Sequence, residues 1–171
     1  MNVNKNIPII IPDMDINIRL ARFLVIMDLL AYSKTGKYIL NNDRLIIFDF
    51  LLRYPFILKK VVEVKNEKLS IKLNNEEIGS ITTLYPSNSA LLDTKSTKNL
   101  IKLMLSYNLM SIQIDKSEMF YILTDNGKMI LSELDTEYIR RMKELCNAMI
   151  ILKSTTINEL RKIIKPLIRG V

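Results

Sequence analysis

The chain has 171 residues, 49% of them hydrophobic, enough for one domain with a core of its own. It contains no histidine, no tryptophan, one cysteine (Cys146) and four scattered glycines, with a net charge of +7. Those counts exclude imidazole acid–base chemistry, Ser-His-Asp and Cys-His nucleophile pairs, a Cys/His zinc or haem site, a disulfide framework and any glycine-rich phosphate loop.

Catalytic, cofactor and metal residues are therefore expected to be none. Carboxylate chemistry is left with Glu76–Glu77 and Glu133–Asp135, both in polar stretches where nothing raises a pKa. The apolar runs are short and broken, which points to a soluble cytoplasmic protein without a membrane span or signal segment. Charge is uneven: residues 1–94 carry 12 Lys/Arg against 10 Asp/Glu, and residues 95–171 carry 13 against 8. A basic surplus of this kind suits nucleic acid, an acidic partner or simply a solvated helix face.

In chain order, an amphipathic helix is expected from Ile16 to about Thr35, with Asp13 and Asp15 near its start and Gly36 as its stop. Its apolar positions are Leu20, Phe23, Leu24, Met27, Leu30 and Ala31. A second helix starts at the Asn/Asp cap before Arg44 and ends at Tyr54, ahead of Pro55. It is apolar nearly all round, as a buried central helix would be, and Asp49 is its odd member, expected to face solvent or bond locally. Phe56–Val64 begins another helix. Leu69–Leu73 alternates like a strand and Asn74–Asn75 reads as a turn.

The stretch from Thr94 predicts a helix with Leu100, Ile101, Leu103, Met104 and Tyr107 on one face and Lys95, Lys98, Asn99 and Lys102 on the other. A hairpin follows: Ile112 and Ile114 alternate with Ser111 and Gln113, Asp115–Glu118 turns, and Met119–Leu123 returns. Thr124 then caps a helix. Helix, hairpin and Tyr121-x-Leu123-Thr124-x-x-Gly127 form the back half of a winged helix. A long helix is predicted from Asp125 to about Lys153, with a seam that includes Tyr138, Met142, Leu145, Met149 and Leu152. That seam suits the core, a homodimer or a heterologous partner. Glu137–Arg141 and Arg140–Glu144 are spaced as i,i+4 pairs. Thr156 and Glu159 open a last helix, whose Arg161, Lys162, Lys165 and Arg169 lie opposite its apolar face.

The expected fold is mainly α with a small β hairpin: a winged-helix domain flanked by an N-terminal helix and C-terminal helices. It is read as one domain, with residues 1–40 as arm and helix, 41–131 as winged-helix core and 132–171 as helical extension. Lys95, Lys98 and Lys102, with Arg161, Lys162, Lys165 and Arg169, are candidate phosphate or DNA contacts. Base reading has little support, because Asn99 is the lone adenine reader on the first set and the wing tip sums to −1. The first helices also lie about thirty residues before the lysine helix, far more than a helix-turn-helix allows.

Three segments, Arg44–Leu58 (RLIIFDFLLRYPFIL), Asn99–Met110 (NLIKLMLSYNLM) and Phe120–Ile130 (FYILTDNGKMI) with its helical tail, span most of residues 43–160. In their order and spacing the chain resembles the small middle components of bacterial ABC-three-component systems, including Lamassu-type anti-phage and anti-plasmid systems. The resemblance implies a non-catalytic accessory subunit, without cofactor, small-molecule substrate or membrane partner. It would join an SMC/Rad50-like ATPase to an effector such as a nuclease in a hetero-oligomer; the lysine stripe and the terminal basic arc leave non-specific DNA contact open beside it. The alternative is a winged-helix transcriptional regulator.

Overall fold

The computed structural model describes residues 15–79 and 93–168. In order these form α1 (Ile16–Leu30), α2 (Asn42–Arg53), α3 (Pro55–Lys65), α4 (Asn75–Gly79), α5 (Thr94–Ser106), β1 (Met110–Asp115) and β2 (Glu118–Leu123). Next come α6 (Asp125–Glu133), α7 (Glu137–Ala148), a 3-10 helix (Met149–Ser154) and α8 (Ile157–Ile168). The architecture is mainly helical, with one antiparallel hairpin pairing Met110 with Leu123 through to Asp115 with Glu118.

α1 is the central helix. Phe23, Leu24, Val25, Ile26, Met27 and Leu30 are all buried, so it is enclosed almost all round rather than amphipathic. Each such side chain contributes roughly 1.5–3 kcal/mol by leaving water. α1 packs chiefly on α7 and also meets α2, α5, α6 and β2, which joins the two ends of the chain in one core. Asp15 caps it, its carboxylate accepting from Asn17 N at 2.8 Å, while Asp13 lies outside the described residues.

The helix ends at Leu30, not near Thr35. The Ser33 hydroxyl accepts from the Thr35 and Lys37 amides, and Ser33 N donates to Lys37 O at 2.8 Å. That local bonding replaces the helix ladder, and Gly36, at φ +78°, lets the loop close.

α2 and α3 lie where the sequence puts them. The Asn41 side chain accepts from Arg44 N at 3.0 Å, and Leu45–Leu52 are buried without a break. Among the described residues Leu69–Leu73 pairs with no strand. Asn74 is a helix cap: it and Glu77 bond each other's backbone amides at 2.8 and 3.0 Å to open α4.

The expected long helix from Asp125 to Lys153 is interrupted. Leu134 leaves helical geometry, and the Thr136 hydroxyl caps α7 by accepting from Ile139 N at 3.2 Å. The chain then tightens into the 3-10 helix. Arg44 closes that segment, donating to the carbonyls of Leu152 (3.3 Å), Lys153 (3.4 Å) and Thr155 (3.0 Å). Burial lowers the pKa of this guanidinium, against a smaller upward pull from Glu118.

Candidate interaction surface

The interior holds a charged cluster that positions the basic helix. Asp49 is 1% exposed, which overturns the solvent-facing expectation. Arg22 Nε donates to its Oδ1 at 2.5 Å, Arg53 Nε lies 3.3 Å from Oδ2, and Arg19 reaches it at 3.9 Å. Arg19 also approaches Asp93 at 3.8 Å and donates to the Ser96 hydroxyl. Asp93 is the N-cap of α5, accepting from Ser96 N at 3.1 Å. One buried arginine thus ties the start of the lysine helix to α1 and α2. An aspartate alone in an apolar helix, with arginines in the apolar helix before it, is the sequence signal for such a cluster.

The other end of α5 is fixed by the Leu123-Thr124-x-x-Gly127 motif. Thr124 Oγ1 accepts from Gly127 N at 3.1 Å and donates to Asn108 O at 2.6 Å, and Thr124 N donates to Leu109 O at 3.2 Å. Asn126 adds a bond to Tyr107 O at 3.1 Å. Helix α6 therefore starts in contact with the end of α5, and a Cβ on Gly127 would fall 2.1 Å from Leu109 O.

Held at both ends, α5 buries Thr97, Leu100, Ile101 and Met104 and exposes Lys95, Lys98, Asn99 and Lys102. Among the described residues no ion pair involves the three lysines. Tyr107, expected on the apolar face, is 63% exposed because it sits at the helix C-cap. On α8, Lys162 and Lys165 are exposed, Arg161 pairs with Asp43 at 3.0 Å, and Arg169 lies outside the described residues. The structure does not merge the two basic sets: α5 packs on α1 and β1, α8 on α3 and α2.

The seam expected to suit a core or a partner is committed to this chain's own core. Met142, Leu145, Met149 and Leu152 are buried and Tyr138 is half-buried, its hydroxyl accepting from Arg22 at 3.4 Å. The arginines of α7 also differ from the expected i,i+4 pattern. Arg141 grips Glu77 at 2.6 and 2.8 Å, bonds Lys72 O and meets Glu144 at 2.9 Å; the Glu77 bond is the main cause of its raised pKa. Arg140 pairs with Asp135 at 2.9 Å. These bonds hold α4 against α7, and in both carboxylate pairs one member is engaged by arginine.

Among the described residues no group of three or more His, Cys, Asp or Glu could hold a metal ion. Among the described residues no helix is long and apolar enough to cross a membrane. A cleft of about 300 Å³ opens between Asn41–Asp43 and Ser117–Met119, but Asn41 donates to Glu118 and Asp43 holds Arg161.

Cys146 is fully buried, and burial, with a smaller contribution from the Asp28 charge, pushes its thiol pKa far up. A raised folded-state pKa means its contribution is complete below the thiol's ordinary value of 9.0 and is lost as pH rises past it. Unfolding free energy should thus fall above that pH with a slope approaching about 1.4 kcal/mol per pH unit. Urea titrations of wild type and Cys146→Ala at several alkaline pH values check this; the variant should lose that component. Tyr121, also raised by burial, adds its own decline from about its ordinary value of 10.0.

Comparison with curated proteins and with solved structures gave no match. The model of one family, ABC-three component (ABC-3C) system Middle Component 4, matches residues 30–162. That span begins at the end of α1, runs through the lysine helix, hairpin and Thr124–Gly127 junction, and closes in α8. Because it covers well over half of the sequence, the chain belongs to the middle component 4 family of ABC-three-component systems.

Proposed function

We propose that this chain is a non-catalytic, cytoplasmic accessory subunit of a Lamassu-type anti-phage or anti-plasmid complex. It links an SMC/Rad50-like ATPase to an effector, a nuclease or similar enzyme, and restrains that effector until foreign DNA is sensed. The observation that carries this reading is membership of the middle-component family over residues 30–162. Two features support it. The Glu76–Glu77 and Glu133–Asp135 pairs are exposed or engaged by arginine. Val64, Leu69 and Ile78, at the α3–α4 end, are exposed apolar side chains suited to a docking contact. Co-expression with the neighbouring open reading frames, followed by pull-down in mild salt, tests the assignment. An ATPase-sized partner should be retained, and its absence would count heavily against the reading.

The exposed lysine face of α5 favours a second reading, in which α5, the hairpin and α6 form the wing half of a DNA-binding winged helix. A transcriptional regulator of this kind would give saturable, sequence-selective gel shifts on its own promoter. The accessory reading expects sequence-independent contact at most. Changing Lys95, Lys98 and Lys102 together to alanine should leave folding intact. If they neutralise phosphates, the slope of log K against log salt should flatten by roughly 0.9 for each phosphate left without its lysine. An unchanged slope would remove them from the interface.

A further inference from the structure

The hairpin closes through Lys116–Ser117, both at positive φ (48° and 67°), with Asp115 opposite Glu118. Such a two-residue turn closes on a hydrogen-bonded pair, after which bonded and non-bonded pairs alternate along the ladder. Asp115, Gln113 and Ser111 therefore direct their backbone groups to β2. Those of Ile114, Ile112 and Met110 point to the outer edge of β1. Among the described residues no backbone hydrogen bond reaches that edge, whereas β2 is met on its far side by Leu40 O, which accepts from Tyr121 N at 2.9 Å. Natural edge strands are usually blocked by lysine, proline or a bulge. The paired residues Met110–Asp115 carry none of these, and their register is continuous.

Towards its tip the hairpin exposes apolar side chains as well, although Met110, Tyr121 and Leu123 at its base are buried. Ile112 faces Tyr121 and Ile114 faces Met119, so all four share one side of the ladder. Ile112, Ile114 and Met119 are 38%, 74% and 55% exposed. A single solvent-exposed isoleucine needs no explanation; a row of three apolar side chains beside an unpaired strand edge does.

We propose that a second copy of this chain occupies that edge, with two β1 strands antiparallel about a two-fold axis at Gln113. The strand is complementary to itself in this register. Each outward-facing Ile112 meets Ile114 of the second copy, and the two pairs exchange four backbone hydrogen bonds. Their side chains, with both Met119 residues, form one apolar stripe across a four-stranded sheet. Asp115 faces Ser111, a hydroxyl donor, so no like charges stand opposite each other. The two Gln113 residues form a non-hydrogen-bonded pair, where side chains approach most closely. This inference stands independently of the accessory-subunit reading, because it depends on the hairpin alone.

Sedimentation equilibrium on the full 19.9 kDa chain at concentrations up to about 100 μM tests it. Wild type should show a dimer. Ile112→Pro removes an outward N–H without touching the bonds to β2, and Ile114→Lys places a cation in the stripe. Each should raise the dissociation constant at least about tenfold while circular dichroism stays native. Gln113→Cys should form an intermolecular disulfide under mild oxidation; Ser106→Cys, exposed on α5, should not. A wild-type monomer throughout this range would overturn the proposal. So would a dimer that survives both edge variants, or a Gln113→Cys protein that dimerises without cross-linking.

Discussion

Replacing Asp49 with alanine should remove about 3–5 kcal/mol of unfolding free energy, a large part of what a domain of this size possesses. The carboxylate is 1% exposed and lies within ion-pair distance of Arg19, Arg22 and Arg53, whose side chains are 11%, 3% and 9% exposed. Without it the three guanidiniums lose the carboxylate they share in the interior. Desolvation then dominates the energetics. Asp49→Asn keeps an acceptor but no charge and should fall between alanine and wild type. Asp49→Leu combined with Arg22→Met should recover part of the loss, because deleting both members of the closest pair removes both desolvation terms. Urea denaturation of the set measures each difference. A loss below about 1 kcal/mol for Asp49→Ala would mean that water reaches the arginines.

Gly127→Ala should destabilise the protein by about 3 kcal/mol, although alanine is the better helix former by about 1 kcal/mol in an isolated helix. The added Cβ would lie 2.1 Å from Leu109 O, 3.0 Å from Leu109 C and 3.1 Å from a Leu123 methyl. Leu109 O belongs to the backbone and already accepts from Thr124 N, so it cannot rotate aside as a flexible side-chain tip could. Relief requires α6 to move off the end of α5. Gly36 provides the contrast: nothing lies within 4 Å of its Cβ position, and alanine there should lose only about 1 kcal/mol through its φ of +78°. Thermal or urea unfolding of the two variants separates close approach from backbone strain. Equal losses would refute the contact argument.

Local signals in the sequence carried much of the fold. The apolar run of α2 ending before Pro55, the alternation of Ile112 and Ile114, the Thr124 cap and the Thr156 cap each depend on a few neighbouring residues, and each element appears where they place it. The start of α1 at Asp15 and the exposed lysine row on α5 were legible for the same reason. Its stop was not, because Gly36 marked a turn but the Ser33 hydroxyl bonds ended the helix several residues earlier. The break at Leu134–Thr136 was masked by a hydrophobic period that continues in phase across it. Asp135-Thr136-Glu137 was its only local sign.

By itself the sequence determined the helix-rich composition, the hairpin and the residue types available for chemistry, since these follow from periodicity, caps and counts. Tertiary structure alone decided what each apolar face covers. Tyr138–Leu152 could have served a partner as well as a core, and α1 resolved the choice by packing against α7. It also decided the meaning of the charges. Arg19, Arg22, Arg53 and Asp49 are spread over more than thirty positions of the chain, and an isolated arginine reads as surface until folding brings the groups within a few ångströms, where low dielectric and lost hydration make their pairing obligatory.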